Sequence, residues 1–548
     1  MAHALAGKPV QEQDIIDVQT IVDAYFDNVP DMTNPTQLVS FGTSGHRGTS
    51  VDGTFTDLHV AAITQAICDG RKQFGATGPI FVGQDTHALS QPALVTVLEV
   101  LAGNGVTAMV DCDMDFVPTP SVSRAIIRYN EEHDDKADGI IITPSHNPPD
   151  NGGIKYNTII GGPADTVVTK WIEMRANEYL TAYCESEDFK RISIDNIEPT
   201  AQVLYDYKGL YVEELGDVIN MEAIKAAGPK VLVDTLGGSG ASYWNAIKAR
   251  YGLDLTIIHD DYDPTFSFMT YDHDGKVRMD CSSTYVMASV INRIGDFDLA
   301  VGNDPDYDRF GIVVSSGLIS ANTFLTLAAR YLFTTRGWKN KGVGKTVVCT
   351  TMIDKWAADA ETPVFEVPVG FKYFSQLLFD GAIGIGGEES AGASFLKKDG
   401  TVWTTDKDGM IMALLSMEIM AVMGKSALKM ADESLEEFGN PSFGRIDAPC
   451  KKEQKQILKQ MSAELITATT VDGDPITNIR TTSLYNDMPI DGVRVETAKG
   501  WFVARPSGTE DLYKIYGESY KGDLGLVALL TAGEEIVNAA LKGTIEIE

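Results

Sequence analysis

Along the chain, short apolar runs rich in β-branched residues alternate with longer stretches whose apolar positions recur every three or four residues. That is the pattern of α/β layers. The runs at 79–83 (PIFVG), 139–143 (GIIIT), 230–234 (KVLVD), 345–350 (KTVVCT) and 501–504 (WFVA) predict strands, and 91–102 and 407–423 predict helices. Three segments, PIFVGQDTHALSQP, KVLVDTLGGSGASYW and KTVVCTTMIDKW, each pass from an apolar strand through a polar turn into a helix, as repeated α/β units do. Breaks between units are expected in loops near 205, 320 and 435, dividing the chain into 1–205, 206–320, 321–435 and 436–548.

A length of 548 residues suits about four domains at roughly 150 residues each. With 44% hydrophobic residues a sizeable core is available. Acidic residues number 77 against 45 Lys plus Arg, a formal charge of −32. Such a balance excludes a nucleic-acid binder, which needs cations to displace condensed counterions, and a surface that docks on anionic lipid. An anionic substrate would therefore need its positive charge supplied locally. Cys68, Cys112, Cys184, Cys281, Cys349 and Cys450 are scattered with no CxxC pair, which suits a reducing cytosol and neither a disulfide framework nor a zinc site. The N-terminal MAHALAGKPVQEQDIID has no basic segment followed by an apolar run, and the apolar stretch 411–423 is interrupted by Glu418 and too short to cross a bilayer. A soluble cytoplasmic protein with no membrane partner is expected, with self-association into a homodimer left open.

Four loops carry candidate chemistry, each following an apolar strand. In Thr143-Pro-Ser-His-Asn-Pro-Pro149, prolines flank a Ser-His-Asn core and fix where the Ser145 hydroxyl points, a candidate nucleophile. The same residues also favour an ordinary turn. In Gly302-Asn-Asp304-Pro-Asp306-Tyr-Asp308-Arg309, carboxylates at two-residue spacing can converge on one divalent cation such as Mg²⁺. An EF-hand is rejected, because Arg309 and Ser315 stand where it needs Gly and Glu. Arg309 adds a fixed cation where a phosphoryl group would gather charge. In Gly384-Ile-Gly-Gly-Glu388-Glu389-Ser390-Ala-Gly-Ala393, Glu388 and Ser390 offer the acceptor and donor that sugar hydroxyls require. Arg505-Pro-Ser507-Gly508-Thr509-Glu510 reads as an anion cradle, and Arg47 in Gly42-Thr-Ser-Gly-His-Arg47-Gly48 is a second cation in a glycine-bounded loop. Three apparent motifs fail: Gly237-Gly-Ser-Gly-Ala241 ends in alanine where a hydrolase elbow needs glycine, Gly344-Lys-Thr lacks the upstream glycine of a Walker A loop, and Gly103-Asn-Gly105 leads into a strand.

Taken in order, TPSHNPP, DPDYDR, GGEESAGAS and RPSGTE resemble the α-D-phosphohexomutases, over nearly the whole chain from GTSGHRG to RPSGTEDLYKIYG. The GEES sugar loop and the flanking GASFLKKDGTVWTTDKDG are similar to the bacterial glucose-preferring branch; Pro144 and Pro305 stand where the family often has Ala and Gly. The resemblance implies an α/β protein of four domains around a central cleft, three related α/β units with mixed sheets and a C-terminal α+β domain. It also implies a phosphorylated Ser145, Mg²⁺ on Asp304, Asp306 and Asp308 with a phosphoserine oxygen, and sugar contacts from Glu388 and Ser390. Phosphate contacts are implied for Arg505, Ser507, Gly508 and Thr509. The expected reaction interconverts glucose 1-phosphate and glucose 6-phosphate through glucose 1,6-bisphosphate. His146, Lys155 and Lys372 all remain candidates for the general base. The rival readings are a mutase for another hexose phosphate, an aspartate-nucleophile phosphatase using Asp304 and Asp306, and a sugar-phosphate-binding scaffold.

Overall fold

The computed structural model describes residues 2–42, 45–184, 189–507 and 512–542. The chain forms two compact units. One comprises Met1–Ala321, Phe374–Ala382 and Ser390–Leu428, the other Asn322–Tyr373, Ile383–Glu389 and Lys429–Glu548.

The first unit holds two mixed sheets. In the first, His46–Thr49 (β1), Ile80–Gln84 (β2), Ala108–Asp111 (β3), Asp138–Ile142 (β4), Asn151–Asn157 (β5) and Gln202–Tyr205 (β6) take the order β1-β5-β4-β2-β3-β6. β2 runs parallel to β3 and β4, whereas β5 is antiparallel to both β4 and β1. The second contains Val231–Asp234 (β7), Leu255–Ile258 (β8), Leu299–Gly302 (β9), Gly311–Val314 (β10) and Gly317–Leu318 (β11), in the order β11-β10-β9-β7-β8. Here too a parallel centre, β8-β7-β9, turns antiparallel at β10. In each sheet the chain therefore leaves the C-terminal end of a parallel strand and doubles back beside it. Those two reversals are the loops 143–150 and 303–310.

Alternation of apolar residues alone does not explain helix Gly409–Met423, which is buried on all sides over Gly409–Ile419. Asp408 caps it, accepting from the Ile411 N–H at 3.2 Å, and Gly424 ends it in the left-handed region at φ 61°. Glu418 is fully buried, and its carboxylate accepts the Asn220 N–H at 2.7 Å.

In the second unit Gly342–Thr346 (β12), Val364–Val367 (β13) and Ile383–Gly387 (β14) are parallel, with β12 central. The strand expected at 345–350 is displaced: β12 ends at Thr346, and 347–350 turn away. The Cys349 N–H donates to Thr346 O and the Thr350 N–H to Asn322 Oδ1, so the backbone there leaves the ladder. Val347 and Val348 are apolar because they pack with Ile490, Trp501, Val503 and Tyr516. β15 (Ala393–Phe395) belongs to the first unit. The C-terminal strands Ser442–Pro449 (β16), Thr470–Val471 (β17), Asp474–Thr482 (β18), Pro489–Thr497 (β19), Gly500–Pro506 (β20) and Leu512–Ser519 (β21) form an antiparallel sheet, β16-β21-β20-β19-β18-β17. Helix Gly522–Lys542 is long and apolar enough to span a bilayer by composition, yet it buries Leu529, Leu530 and Val537 in the core of this sheet beside Phe502 and Ile515.

Candidate active site

Both reversals of the first unit lead to one buried cluster. In the loop between β4 and β5, Ser145 is 1% exposed and adopts φ 62°, a conformation that L-residues rarely hold. Its hydroxyl lies 3.0 Å from Asp304 Oδ2 and 3.3 Å from His146 Nδ1. Gly153 on β5 lets the loop pass, because a Cβ there would stand 2.2 Å from Thr143 O.

The loop between β9 and β10 presents Asp304, Asp306 and Asp308, all buried, each with an oxygen within 4.8 Å of the others. Its shape depends on glycines elsewhere. A Cβ on Gly238 would meet Pro305 Cα at 2.7 Å, and one on Gly240 would meet the Tyr307 ring at 2.3 Å. The Ser239 N–H and hydroxyl both donate to Pro305 O at 2.8 Å. The failed elbow motif GGSGA is thus the seat of the aspartate loop. Tyr307 is itself left-handed, at φ 62°.

Cations surround the aspartates. Lys155 Nζ lies 2.6 Å from Asp306 Oδ2 and 3.1 Å from Asp308 Oδ2, and Lys407 Nζ lies 2.6 Å from the same Asp308 oxygen. Arg309 Nη1 reaches Asp280 at 3.4 Å, and Thr119 donates its hydroxyl to Asp306 Oδ2 at 2.8 Å. Arg47, on β1, feels Asp306, Asp308 and Asp304 while burial lowers its pKa. Burial pushes the Asp304 carboxyl well above the ordinary range, and Asp306 and Asp308 push it further. Burial also acts on Asp308, but Lys155 and Lys407 outweigh it and hold that carboxyl low. Burial and the adjacent Arg309 keep His146 well below the ordinary histidine range, whereas Asp306 and Asp308 overcome burial to raise Lys155.

Three carboxylates make an all-oxygen donor set, and Oδ1 of both Asp306 and Asp308 is buried with no hydrogen-bond partner among the described residues. Such orphaned acceptors fit a hard divalent cation. Asp304, Asp306, Asp308 and Ser145 are the residues that would hold it.

In the second unit Glu388 is buried, and Thr346 donates its hydroxyl to Glu389 at 3.2 Å. Burial raises the Glu389 carboxyl, while Arg445 and Arg505 pull it down, which brings the sugar loop and the anion cradle into one electrostatic neighbourhood. Arg505 Nε is buried with no partner among the described residues, and Ser507 is buried, its N–H donating to Leu512 O. Lys372 opens helix Lys372–Phe379. Gly508 and Thr509 lie outside the described residues. Ser390 belongs to the first unit, where the Phe310 N–H donates to Ala391 O and Arg309 bridges Gly392.

Sequence reasoning grouped Arg47 with Arg505, but the structure sets Arg47 among the aspartates. It also overlooked Lys407, Asp280 and Thr119. None of the three falls at a motif spacing; only the DKDG run before helix Gly409–Met423 marks Lys407.

Four family models match in succession. They are the phosphoglucomutase/phosphomannomutase α/β/α domains I (38–182), II (210–317) and III (320–438) and the C-terminal domain (447–524). A phosphoglucomutase from Komagataeibacter xylinus is 46% identical over 539 residues, 97% of each chain. Phosphoglucomutase 1 of Saccharomyces cerevisiae is 26% identical, covering 88% of each. Two solved structures share the fold. The phosphoprotein parafusin (phosphoglucomutase) from Paramecium has TM-score 0.71 and 20% identity, covering 94% of this chain and 97% of that one. A phosphoglucomutase/phosphomannomutase family protein from Burkholderia thailandensis has TM-score 0.69 and 20% identity, covering 91% and 98%. With three α/β domains and a C-terminal domain in this order, and a relative this similar along its whole length, the chain belongs to the phosphoglucomutase/phosphomannomutase family.

Proposed function

We propose that the chain is a phosphoglucomutase that interconverts glucose 1-phosphate and glucose 6-phosphate through phosphoserine 145 and glucose 1,6-bisphosphate. One observation carries the reading: the Ser145 hydroxyl lies 3.0 Å from Asp304, in a cluster where two further buried carboxylates each keep an oxygen unpartnered among the described residues. A hydroxyl held there suits reversible phosphoryl transfer, and the carboxylates make no sense without positive charge in the site.

In the forward direction the serine Oγ–P bond breaks as the sugar O6 forms its bond to phosphorus. The O6 proton passes to a base, for which His146 and Lys372 are the candidates, since Lys155 keeps its proton between Asp306 and Asp308, and Oγ takes up a proton as it leaves. In the second half Ser145 Oγ gives up that proton and attacks the phosphate at O1; the O1–P bond breaks, O1 takes up a proton, and glucose 6-phosphate is released. A divalent cation such as Mg²⁺, when bound, supplies charge neutralisation at the phosphoryl oxygens. Arg309 and Lys155 hold fixed positive charge beside the same group. Glu388 and Ser390 orient the sugar hydroxyls, and Arg505 with Ser507 binds the phosphate that does not react.

The test pairs intact-mass measurement with a coupled assay of glucose 1-phosphate. One phosphate mapped to Ser145, together with loss of turnover in Ser145→Ala, is the expected result. Near-normal turnover in that variant overturns the covalent route. Release of inorganic phosphate in place of glucose 6-phosphate would favour the aspartate-nucleophile reading.

A further inference from the structure

The mechanism leaves unused a buried Asp–His pair behind the serine loop. β2 and β4 are parallel neighbours with Gln84 in register with Ile142, so the next residues, Asp85 and Thr143, emerge side by side. Asp85 Oδ2 accepts the Thr143 hydroxyl at 2.6 Å and His87 Nδ1–H at 2.8 Å. Its other oxygen accepts the Ser90 hydroxyl at 2.5 Å and the His87 N–H at 3.0 Å. Thr143 Oγ1, its proton committed to Asp85, accepts the Ser145 N–H at 2.8 Å. His87 Nε2 lies 3.0 Å from the backbone carbonyl of Asn147.

Both nitrogens of His87 face oxygens that only accept, so the ring carries two protons and the pair is a buried imidazolium–carboxylate. All four side chains are at most 2% exposed. The carboxylate therefore reaches the loop at two places: on one side of Ser145 through Thr143, on the other through His87 and Asn147. Between those ties stands the left-handed φ of Ser145. A non-glycine residue persists in that region only where its surroundings over-determine it.

We propose that Asp85, His87 and Thr143 are positioning residues for the reaction, a two-ended brace that keeps Ser145 left-handed and its Oγ aimed at Asp304. The inference rests on the reading of Ser145 as the residue that carries the phosphate. The brace serves the hydroxyl's direction, and among the described residues none of its hydrogen bonds goes to Asp304, Asp306 or Asp308. Its loss therefore slows transfer without weakening substrate binding, because reacting atoms displaced by about 1 Å cost rate steeply.

The test compares Thr143→Val with Thr143→Ser in the full-length protein. The first keeps the shape and removes both hydrogen bonds; the second keeps them. The expected result for Thr143→Val is a kcat lower by roughly tenfold or more with KM for glucose 1-phosphate within about twofold, and for Thr143→Ser a kcat within about twofold of the parent. A kcat for Thr143→Val within about twofold of the parent, or a rise in KM alone, overturns the brace. If Thr143→Val fails to fold, His87→Gln decides by the same split between kcat and KM. Phosphoserine mapping of the parent separates the two levels. A parent without phosphate on Ser145 defeats the proposed function, whereas a phosphorylated parent with an active Thr143→Val defeats only the brace.

Discussion

Lys407 Nζ lies 2.6 Å from Asp308 Oδ2, the oxygen that Lys155 also reaches at 3.1 Å. The two lysines come from distant parts of the sequence and meet on one carboxylate. Asp308 is wholly buried, so its charge depends on them. Replacing Lys407 with Met keeps the stem and deletes the charge. The expected loss is on the order of 3 kcal/mol in urea unfolding, because a buried carboxylate loses one of its two lysine partners. A change under about 0.5 kcal/mol would show that Lys155 suffices.

Divalent-cation removal gives a different outcome. Lys155, Lys407 and Arg309 already balance the aspartates, so the fold does not depend on a cation as a zinc finger does. Chelation with EDTA is expected to stop turnover and leave the circular dichroism spectrum unchanged, with activity returning on adding Mg²⁺. Unfolding on chelation would contradict this balance.

Gly238 supports the aspartate loop from a distance in sequence. A Cβ at that position would stand 2.7 Å from Pro305 Cα and 2.9 Å from its carbonyl oxygen, and backbone cannot swing aside as a flexible side chain can. Gly238→Ala is therefore expected to lower kcat roughly tenfold or more and to raise the Mg²⁺ concentration needed for half-maximal activity. Titrating Mg²⁺ in the coupled assay measures both, and an unchanged profile would mean that the loop adapts.

Acid sensitivity in the second unit should pass through Glu366. Arg480 binds it at 2.5 Å and 2.8 Å through two nitrogens, and the residue is 2% exposed. Burial raises this carboxyl, but Lys345, Arg480 and Arg494 outweigh it, and the net shift is downward. A depressed folded value stabilises the protein above the ordinary carboxylate range, and that contribution fades as pH falls through the folded value. Glu366→Gln should be less stable at about pH 7 by on the order of 3 kcal/mol, with the gap to the parent narrowing toward about pH 3. Urea unfolding across that range checks the sign; a constant gap would assign the acid response elsewhere.

Much of the site could be read locally. Carboxylates at 304, 306 and 308 share one short loop, so their closeness is legible locally, although the loop's shape depends on Gly238 and Gly240. Ser145 between prolines, and the Arg505 turn after β20, carry the same kind of information. The strand at 345–350 could not be placed so well, because Val347 and Val348 are apolar for packing on the C-terminal sheet, and an apolar run does not reveal whether a ladder or a turn buries it. Nor could GGSGA be interpreted: its glycines answer to Pro305 and Tyr307, more than sixty residues away.

By itself the sequence determined the α/β layering, the family and the four chemistry-bearing loops, since each depends on residues close together along the backbone. Tertiary structure alone decided that Lys407 and Lys155 share Asp308, that Thr119 meets Asp306, and that Asp85 stands behind Ser145. Those pairings follow from sheet register and from which strand ends lie side by side, and distances set by register leave no periodicity or spacing in a linear chain.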